Sequence, residues 1–280
     1  MFILHSPDPV AIDLFGLPIY WYGIAMAIAI LIAMVVGNKL FSITNPNLKK
    51  DVIIEYAPVI ILSGILCARL YFCILNADYY LANPSEIMCI RQGGLSIHGA
   101  IFGGIFSMIA IAKHIKIPSM TILDSMACGT LLGQVIGRWG NYFNAEAYGL
   151  PIESQSWGLF IPEARRIPEF ANYTLFHPTF LYESILNFIG FWILLFIILK
   201  FGKKYQGLTF FAYLCVYSLI RFFIEPIRID SALNLAGNVP IAVVISVILF
   251  MITPFRFICH RIIFPQFPHY LHCRLYIHRL

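Results

Sequence analysis

Charge is scarce in this chain. Asp, Glu, Lys and Arg make up 12% of its 280 residues, against 60% hydrophobic, and the mean hydropathy is +0.80. That balance excludes a soluble globular domain. Metal and redox motifs are missing as well, since neither HExxH nor CxxC occurs. Of the seven cysteines, Cys67, Cys73, Cys128 and Cys215 fall inside apolar runs, where a thiol behaves as a small apolar side chain. Cys89 has no partner in the loops on its side, so no disulfide is expected there. The first eighteen residues hold no Lys or Arg, which argues against a cleaved signal peptide. No internal repeat supports an inverted-repeat transporter. The apolar runs are long and continuous rather than short and alternating, which rules out a membrane β-barrel.

What the chain does have is a series of runs long enough to cross a hydrocarbon core as helices. The predicted spans are Pro18–Val36, Val52–Leu75, Leu95–Ala112, Met120–Gly137, Phe180–Leu199, Leu208–Ile224 and Val239–Thr253. The expected fold class is therefore all-α, a polytopic membrane protein of about seven transmembrane helices. All eight lysines follow odd-numbered spans: Lys39, Lys49, Lys50, Lys113, Lys116, Lys200, Lys203 and Lys204. Arg256 and Arg261 follow the seventh. The alternate loops carry Asp8, Asp13, Asp78, Glu86, Glu146, Glu153, Glu163 and Glu169, and no lysine. By the positive-inside rule the N-terminus lies outside and the C-terminus in the cytoplasm. The net charge of +5 then reflects cytoplasmic anchoring, and no nucleic-acid partner is expected. Residues 1–258 read as one membrane domain, with a small outer-face loop domain at 138–179. Residues 259–280 read as a cytoplasmic tail, whose scattered Cys and His have no metal-site spacing.

Polar residues inside such a chain are costly and mark function or pairing. Here they gather at one depth. Tyr22 and His98 open the first and third spans, and Arg138 and Asn141 follow the fourth. His177 and Glu183 flank the start of the fifth, while Tyr217, Arg221 and Glu225 close the sixth. Arg69 lies in the outer half of the second. Tyr217, Arg221 and Glu225 recur at i, i+4 and i+8, one stripe on one helix face, which Arg228 extends past Pro226. Arg221 and Glu225 read either as a structural ion pair or as part of a site. The second guanidinium, Arg138, favours a site: two forks at headgroup depth suit a phosphate. Glycine packing explains Gly99 with Gly103 and Gly133 with Gly137, but not His98. A histidine at that depth is a candidate proton acceptor for a thiol or hydroxyl.

The run Gly137-Arg138-Trp139-Gly140-Asn141-Tyr142-Phe143-Asn144-Ala145-Glu146-Ala147-Tyr148-Gly149 is similar to the signature of the prolipoprotein diacylglyceryl transferase family. That signature reads Gly-Arg-x-Gly-Asn-(aromatic)-x-Asn-x-Glu-x-x-Gly, and every specified position is matched. The segments Trp21-Tyr22-Gly23, Gly93–Gly99, His177-Pro178 with Leu181-Tyr182-Glu183, and Arg221–Glu225 with Arg228 resemble the same family, in the same order.

The resemblance implies an enzyme of the bacterial inner membrane that acts near the outer leaflet and needs no metal or cofactor. Family members move the diacylglyceryl group of phosphatidylglycerol onto the lipobox cysteine of a preprolipoprotein, releasing glycerol phosphate. The partners implied are that lipid, lipobox-bearing signal peptides and the bilayer. By the same resemblance Arg138 holds the lipid phosphate, Arg221 shares its charge and His98 takes the thiol proton. Asn141, Glu146 and Gly149 shape the headgroup pocket. Tyr22 and Tyr217 donate hydrogen bonds to phosphate or glycerol, and Glu225 and Arg228 complete the binding set. Leu150 stands where some relatives carry an arginine, a contact either absent here or supplied by Arg165 or Arg166. Two other classes remain. An intramembrane serine hydrolase using Ser96 is disfavoured, because Ser96 and His98 point to different sides of a helix. A lipid or peptide transporter is disfavoured because Asp124 and Asn187 form no continuous polar path.

Overall fold

The computed structural model describes residues 2–90, 93–153 and 156–229, together with the backbone of 234–235 and 239–240. Its helices are α1 (Trp21–Thr44), α2 (Val52–Glu55), α3 (Ala57–Leu75), α4 (Ala77–Ala82), α5 (Ile97–His114), α6 (Ser119–Asn144), α7 (Thr179–Phe201) and α8 (Leu208–Ile224). Among the described residues six helices (α1, α3, α5, α6, α7 and α8) are long and apolar enough to cross a membrane. The chain is a multi-pass, all-α membrane protein. Of the predicted seventh span, Val239 and Pro240 pair as a short strand, and the rest lies outside the described residues, as does the tail.

Two predicted spans differ in ways that local chemistry explains. The run Val52–Leu75 is split at Tyr56, between α2 and α3. Pro58 has no N–H to return to the turn before it, so it serves in the first turn of a new helix. The fourth span was expected to end at Gly137, but α6 continues through Arg138 and Asn141 to Asn144. It stops where Ala145 takes a left-handed conformation, φ 49°. A polar residue marks the edge of the hydrocarbon, not the end of the helix.

Helix α6 is the most enclosed of the six and packs against α1, α5, α7 and α8. Close approach rests on missing side chains. A Cβ at Gly133 would come within 3.0 Å of the Ala29 carbonyl on α1, and one at Gly129 closer still to the Ala33 carbonyl. The predicted partner Gly137 meets Met26 Sδ among the described residues, at 3.5 Å, so the small-residue seam of α6 lies about one turn deeper than expected. Gly99 and Gly103 of α5 do pack as predicted, against Ser63, Cys67 and Ala68 of α3. Gly190 of α7 receives Val216 of α8 and Leu131 of α6.

Asp124 is buried in α6, yet it serves no transport path. Its carboxylate accepts the backbone N–H of Gly207 at 2.6 Å and of Phe210 at 2.8 Å, capping the N-terminus of α8 from another helix.

At the other end of the bundle the chain between α6 and α7 forms a cap. Strand β4 (Trp157–Phe160) pairs in parallel with β1 (Phe2–His5) and antiparallel with β5 (Leu175–Phe176). Tyr148, Leu159, Ile161, Phe176 and Phe180 fill its core. Strands β2 (Val10–Leu14) and β3 (Leu17–Tyr20) form a hairpin leading directly into α1. A last short pair, β6 (Asn234–Leu235) with β7 (Val239–Pro240), completes the described strands.

Candidate active site

Under the cap, three arginines converge on one carboxylate. Glu183, in the second turn of α7, is 2% exposed. Its Oε2 lies 2.6 Å from Nη2 of Arg138 on α6 and 3.7 Å from Nη1 of Arg221 on α8. Its Oε1 lies 3.4 Å from Nη1 of Arg228, just past α8. Arg221 turns its Nη2 to Glu225, which is likewise buried. Among the described residues three guanidiniums thus gather around two carboxylates. A buried carboxylate is tolerable only with such partners. The arginines in turn are held apart and oriented by it.

The guanidiniums differ in what they have to spare. Arg221 engages Glu183 through one terminal nitrogen and Glu225 through the other. Among the described residues Arg138 engages a carboxylate through Nη2, which leaves Nη1 and Nε as a fork for an incoming anion. Its side chain is also the most exposed of the three, at 20% against 12% and 11%.

The rest of the signature builds walls around this fork. Asn141 Nδ2 donates to Glu146 Oε1 at 3.1 Å, and the Glu146 N–H returns to the Asn141 carbonyl at 3.0 Å. Left-handed turns at Ala145 and Ala147 (φ 49° and 53°) flank Glu146 and fix its direction. The Tyr22 ring from α1 lies over Gly140, where a Cβ would come within 2.8 Å of it. Its hydroxyl is within electrostatic reach of Arg138 and Glu146.

Gly149 acts by closeness. Its N–H donates to the His177 carbonyl at 2.9 Å, it pairs with Arg228 across an antiparallel bridge, and Leu150 N–H donates to Ile227 O at 2.8 Å. The signature loop is thereby stitched to the start of α7 and the end of α8, which brings Glu183 and Arg228 to Arg138. His177 meets the Tyr182 hydroxyl through Nδ1 at 3.1 Å, and burial lowers the pKa of its ring below the usual value.

Other expected residues stand apart from the cluster. Tyr217 stacks on Tyr213, ring centroids 6.1 Å apart, and Tyr213 accepts a hydrogen bond from Gln134 at 3.0 Å. His98 is exposed in the first turn of α5, and its ring neighbour among the described residues is Tyr71, at 6.2 Å. Arg69 is buried and donates to five carbonyls: Ile87, Gly93, Gly94, Glu86 and Cys89, at 2.7–3.2 Å. It is the clasp of the loop that leads into α5 and so acts on His98 only through the backbone. Neither Arg165 nor Arg166 replaces the arginine absent at Leu150. Arg165 donates to the Asn144 carbonyl, and Arg166 to those of Ile161 and Ala171.

The residues sequence reasoning left without a role are Glu183, Gln134 and Asn187. The signal for Gln134 was its position four residues before Arg138, and for Asn187 four after Glu183. Both present a buried acceptor oxygen without a hydrogen-bond partner among the described residues.

The sequence is similar to known proteins over most of its length. The family model described as prolipoprotein diacylglyceryl transferase matches residues 9–259. A phosphatidylglycerol–prolipoprotein diacylglyceryl transferase from Clostridium novyi is 42% identical over 243 residues, 86% of this chain and 91% of the relative. Proteins of the same name from Acaryochloris marina and Staphylococcus aureus are each 39% identical. They align over 246 and 254 residues, covering 88% and 90% of this chain and 88% of each relative.

Proposed function

The chain belongs to the prolipoprotein diacylglyceryl transferase family, and we propose that it moves the diacylglyceryl group of phosphatidylglycerol onto the lipobox cysteine of preprolipoproteins. It is a transferase, and residues 1–258 form its catalytic domain. The observation that carries the reading is the cluster of Arg138, Arg221 and Arg228 around buried Glu183, with one fork of Arg138 left for a phosphate.

In the reaction the cysteine thiolate attacks the glycerol carbon bearing the phosphate ester. A C–S bond forms, the C–O bond breaks with its electron pair going to oxygen, and glycerol phosphate departs. Charge grows on the phosphate oxygens as that bond breaks, so donors fixed beforehand at those oxygens lower the barrier. Arg138 binds the phosphate through Nη1 and Nε, and Arg221 adds charge from behind. Tyr22, Asn141 and Glu146 line the glycerol side, and Gly149 lets the chain close around it. Glu225 and Arg228 hold the other arginines in place, and Tyr217 borders the site one turn inward. A thiol needs its proton removed to become a good nucleophile. His98 is the proposed base, and its exposure at the start of α5 leaves it open to a membrane-borne peptide.

We place the protein in the bacterial inner membrane with this site at the outer leaflet. In support, Lys49, Lys50, Lys116, Lys203 and Lys204 lie in the loops at the opposite end of the bundle. Both substrates then reach the cluster from within the bilayer. The transporter alternative loses its main residue, since Asp124 is spent capping α8.

The test uses the purified chain in vesicles of phosphatidylglycerol with a lipobox signal peptide, read by mass spectrometry. The expected result is a diacylglyceryl adduct on the cysteine with release of glycerol phosphate, lost in folded Arg138→Ala. No adduct from the folded parent overturns the reading. His98→Gln retaining the parent's rate removes His98 from the proton step and leaves it to another group.

A further inference from the structure

We propose that a second layer of side chains, one helical turn inward from the arginines, holds the ester carbonyls of the lipid and makes the site selective for diacyl over dialkyl lipids of one headgroup. The inference rests on the proposed reaction. Three helices build the layer by the same spacing. Inward from Arg138 on α6 stands Gln134, inward from Glu183 on α7 stands Asn187, and inward from Arg221 on α8 stands Tyr217. Each step is one turn, about 6 Å, so the two residues of a pair share a helix face. The layer is joined across the helices. Gln134 Nε2 donates to the Tyr213 hydroxyl at 3.0 Å, and the Tyr213 ring stacks on Tyr217. Asn187 is bracketed on its own helix face. On one side Ser184 Oγ donates to the Val135 carbonyl of α6 at 2.9 Å, and on the other Gly190 meets Leu131 of α6 and Val216 of α8. Farther inward the seam is apolar, with Cys128, Leu131, Leu194 and Ile198 in its core.

Charged, then neutral and polar, then apolar is also the order of a phospholipid read from phosphate through esters to hydrocarbon. A lipid whose phosphate sits on Arg138 and whose chains run toward the bilayer centre carries its two ester carbonyls past the second layer. A carbonyl taken into a protein needs a donor there. Tyr213 accepts its bond from Gln134 and keeps its own proton to give, and Tyr217 offers a second hydroxyl beside it. Asn187 is 2% exposed, and its Oδ1 has no hydrogen-bond partner among the described residues. Turning that amide end for end leaves its packing unchanged and presents Nδ2, a donor, in the same place. Gln134, Tyr213 and Tyr217 are half-buried among the described residues, so the layer is not sealed inside the bundle. Polar side chains that merely glue helices together would serve any lipid equally. An ester-binding layer distinguishes lipids that differ in nothing but the two carbonyls.

The experiment compares diacyl phosphatidylglycerol with its dialkyl ether analogue of the same chain length and headgroup. Each lipid is titrated in neutral detergent with a lipobox signal peptide, and adduct formation is followed for the parent, Tyr213→Phe and Asn187→Leu. The parent should favour the diacyl lipid by about tenfold in kcat/KM, chiefly through KM, the worth of one or two neutral hydrogen bonds. Each variant should lose rate on the diacyl lipid, keep the parent's rate on the ether, and so bring the ratio toward one. A parent that uses the two lipids within about twofold of each other overturns the proposal. So does a folded variant that slows both lipids alike, which is the behaviour of helix glue. A change confined to KM for the signal peptide also overturns it and assigns the layer to the peptide. Should Asn187→Leu fail to fold, Tyr213→Phe decides, since it removes one oxygen and keeps the stacked ring; the parent's own ratio decides if neither folds. Failure of the underlying reaction is visible separately, as a folded parent that makes no adduct from either lipid.

Discussion

Arg138→Lys isolates the fork from the charge. The native side chain holds Glu183 through Nη2 at 2.6 Å and keeps Nη1 and Nε for the phosphate. A lysine ammonium is a point charge without paired, coplanar donors. It can keep its contact with Glu183 or reach the phosphate, but it cannot present two parallel bonds while doing the first. Net charge is unchanged and Glu183 keeps a counter-charge, so the fold should be spared. Loss of a preorganised donor at a developing oxyanion costs about 3–4 kcal/mol, roughly 10²–10³ in rate. The expected kcat/KM is therefore lower by about that factor, most of it in kcat, with the melting temperature close to the parent's. Arg138→Ala adds a second penalty. Glu183 would be left with guanidiniums at 3.4 and 3.7 Å, and stripping the shortest partner from a buried charge costs about 3–5 kcal/mol of stability. The assay is initial-rate adduct formation over a phosphatidylglycerol series, paired with thermal unfolding. Arg138→Lys within threefold of the parent in kcat/KM would mean that charge alone suffices, and the assignment of Nη1 and Nε would fall.

Gly149→Ala should lower the melting temperature and the activity together. The new methyl would lie 2.7 Å from His177 Cβ, 2.9 Å from Thr179 Cγ2 and 3.0 Å from the Ile227 carbonyl, an overpacking worth about 1–3 kcal/mol; a variant melting with the parent would show that the junction has slack. Arg69→Lys trades five carbonyl bonds for at most three, so hydrogen exchange across residues 76–96 should rise while the arginine cluster stays protected. Equal protection in both proteins would refute the clasp. Burial depresses the pKa of His177, so the folded ring binds fewer protons than an unfolded one near ~6.5. Its contribution to stability is present above that pH and is lost as pH falls through the folded value. Thermal scans from pH 8 to pH 5 should show a steeper acid loss in the parent than in His177→Phe, and parallel curves would contradict this.

Sequence gives height along the membrane well and azimuth poorly. The ends of α8 agree with its predicted span, Leu208–Ile224, because a charged stripe and a proline bound an otherwise apolar run. Arg69 and Arg138 were both expected at the same end of the bundle, and both lie toward its capped end, yet their roles are opposite. Arg138 faces the seam of α6, α7 and α8 and meets a carboxylate. Arg69 faces its own loop and finds five carbonyls. Each is an arginine in an apolar run, and hydropathy does not separate the two; only the signature run around Arg138 does. Glu183 was visible for the same reason and uninterpretable for the same reason. Its partners stand at 138, 221 and 228, and the packing of α6, α7 and α8 together with the backbone junction at Gly149 brings those segments together. The glycines that make such junctions carry no chemistry of their own, so a motif read residue by residue assigns them to the ligand. In the fold Gly149 ties the signature loop to the start of α7 and to Arg228, beside the arginines that share Glu183.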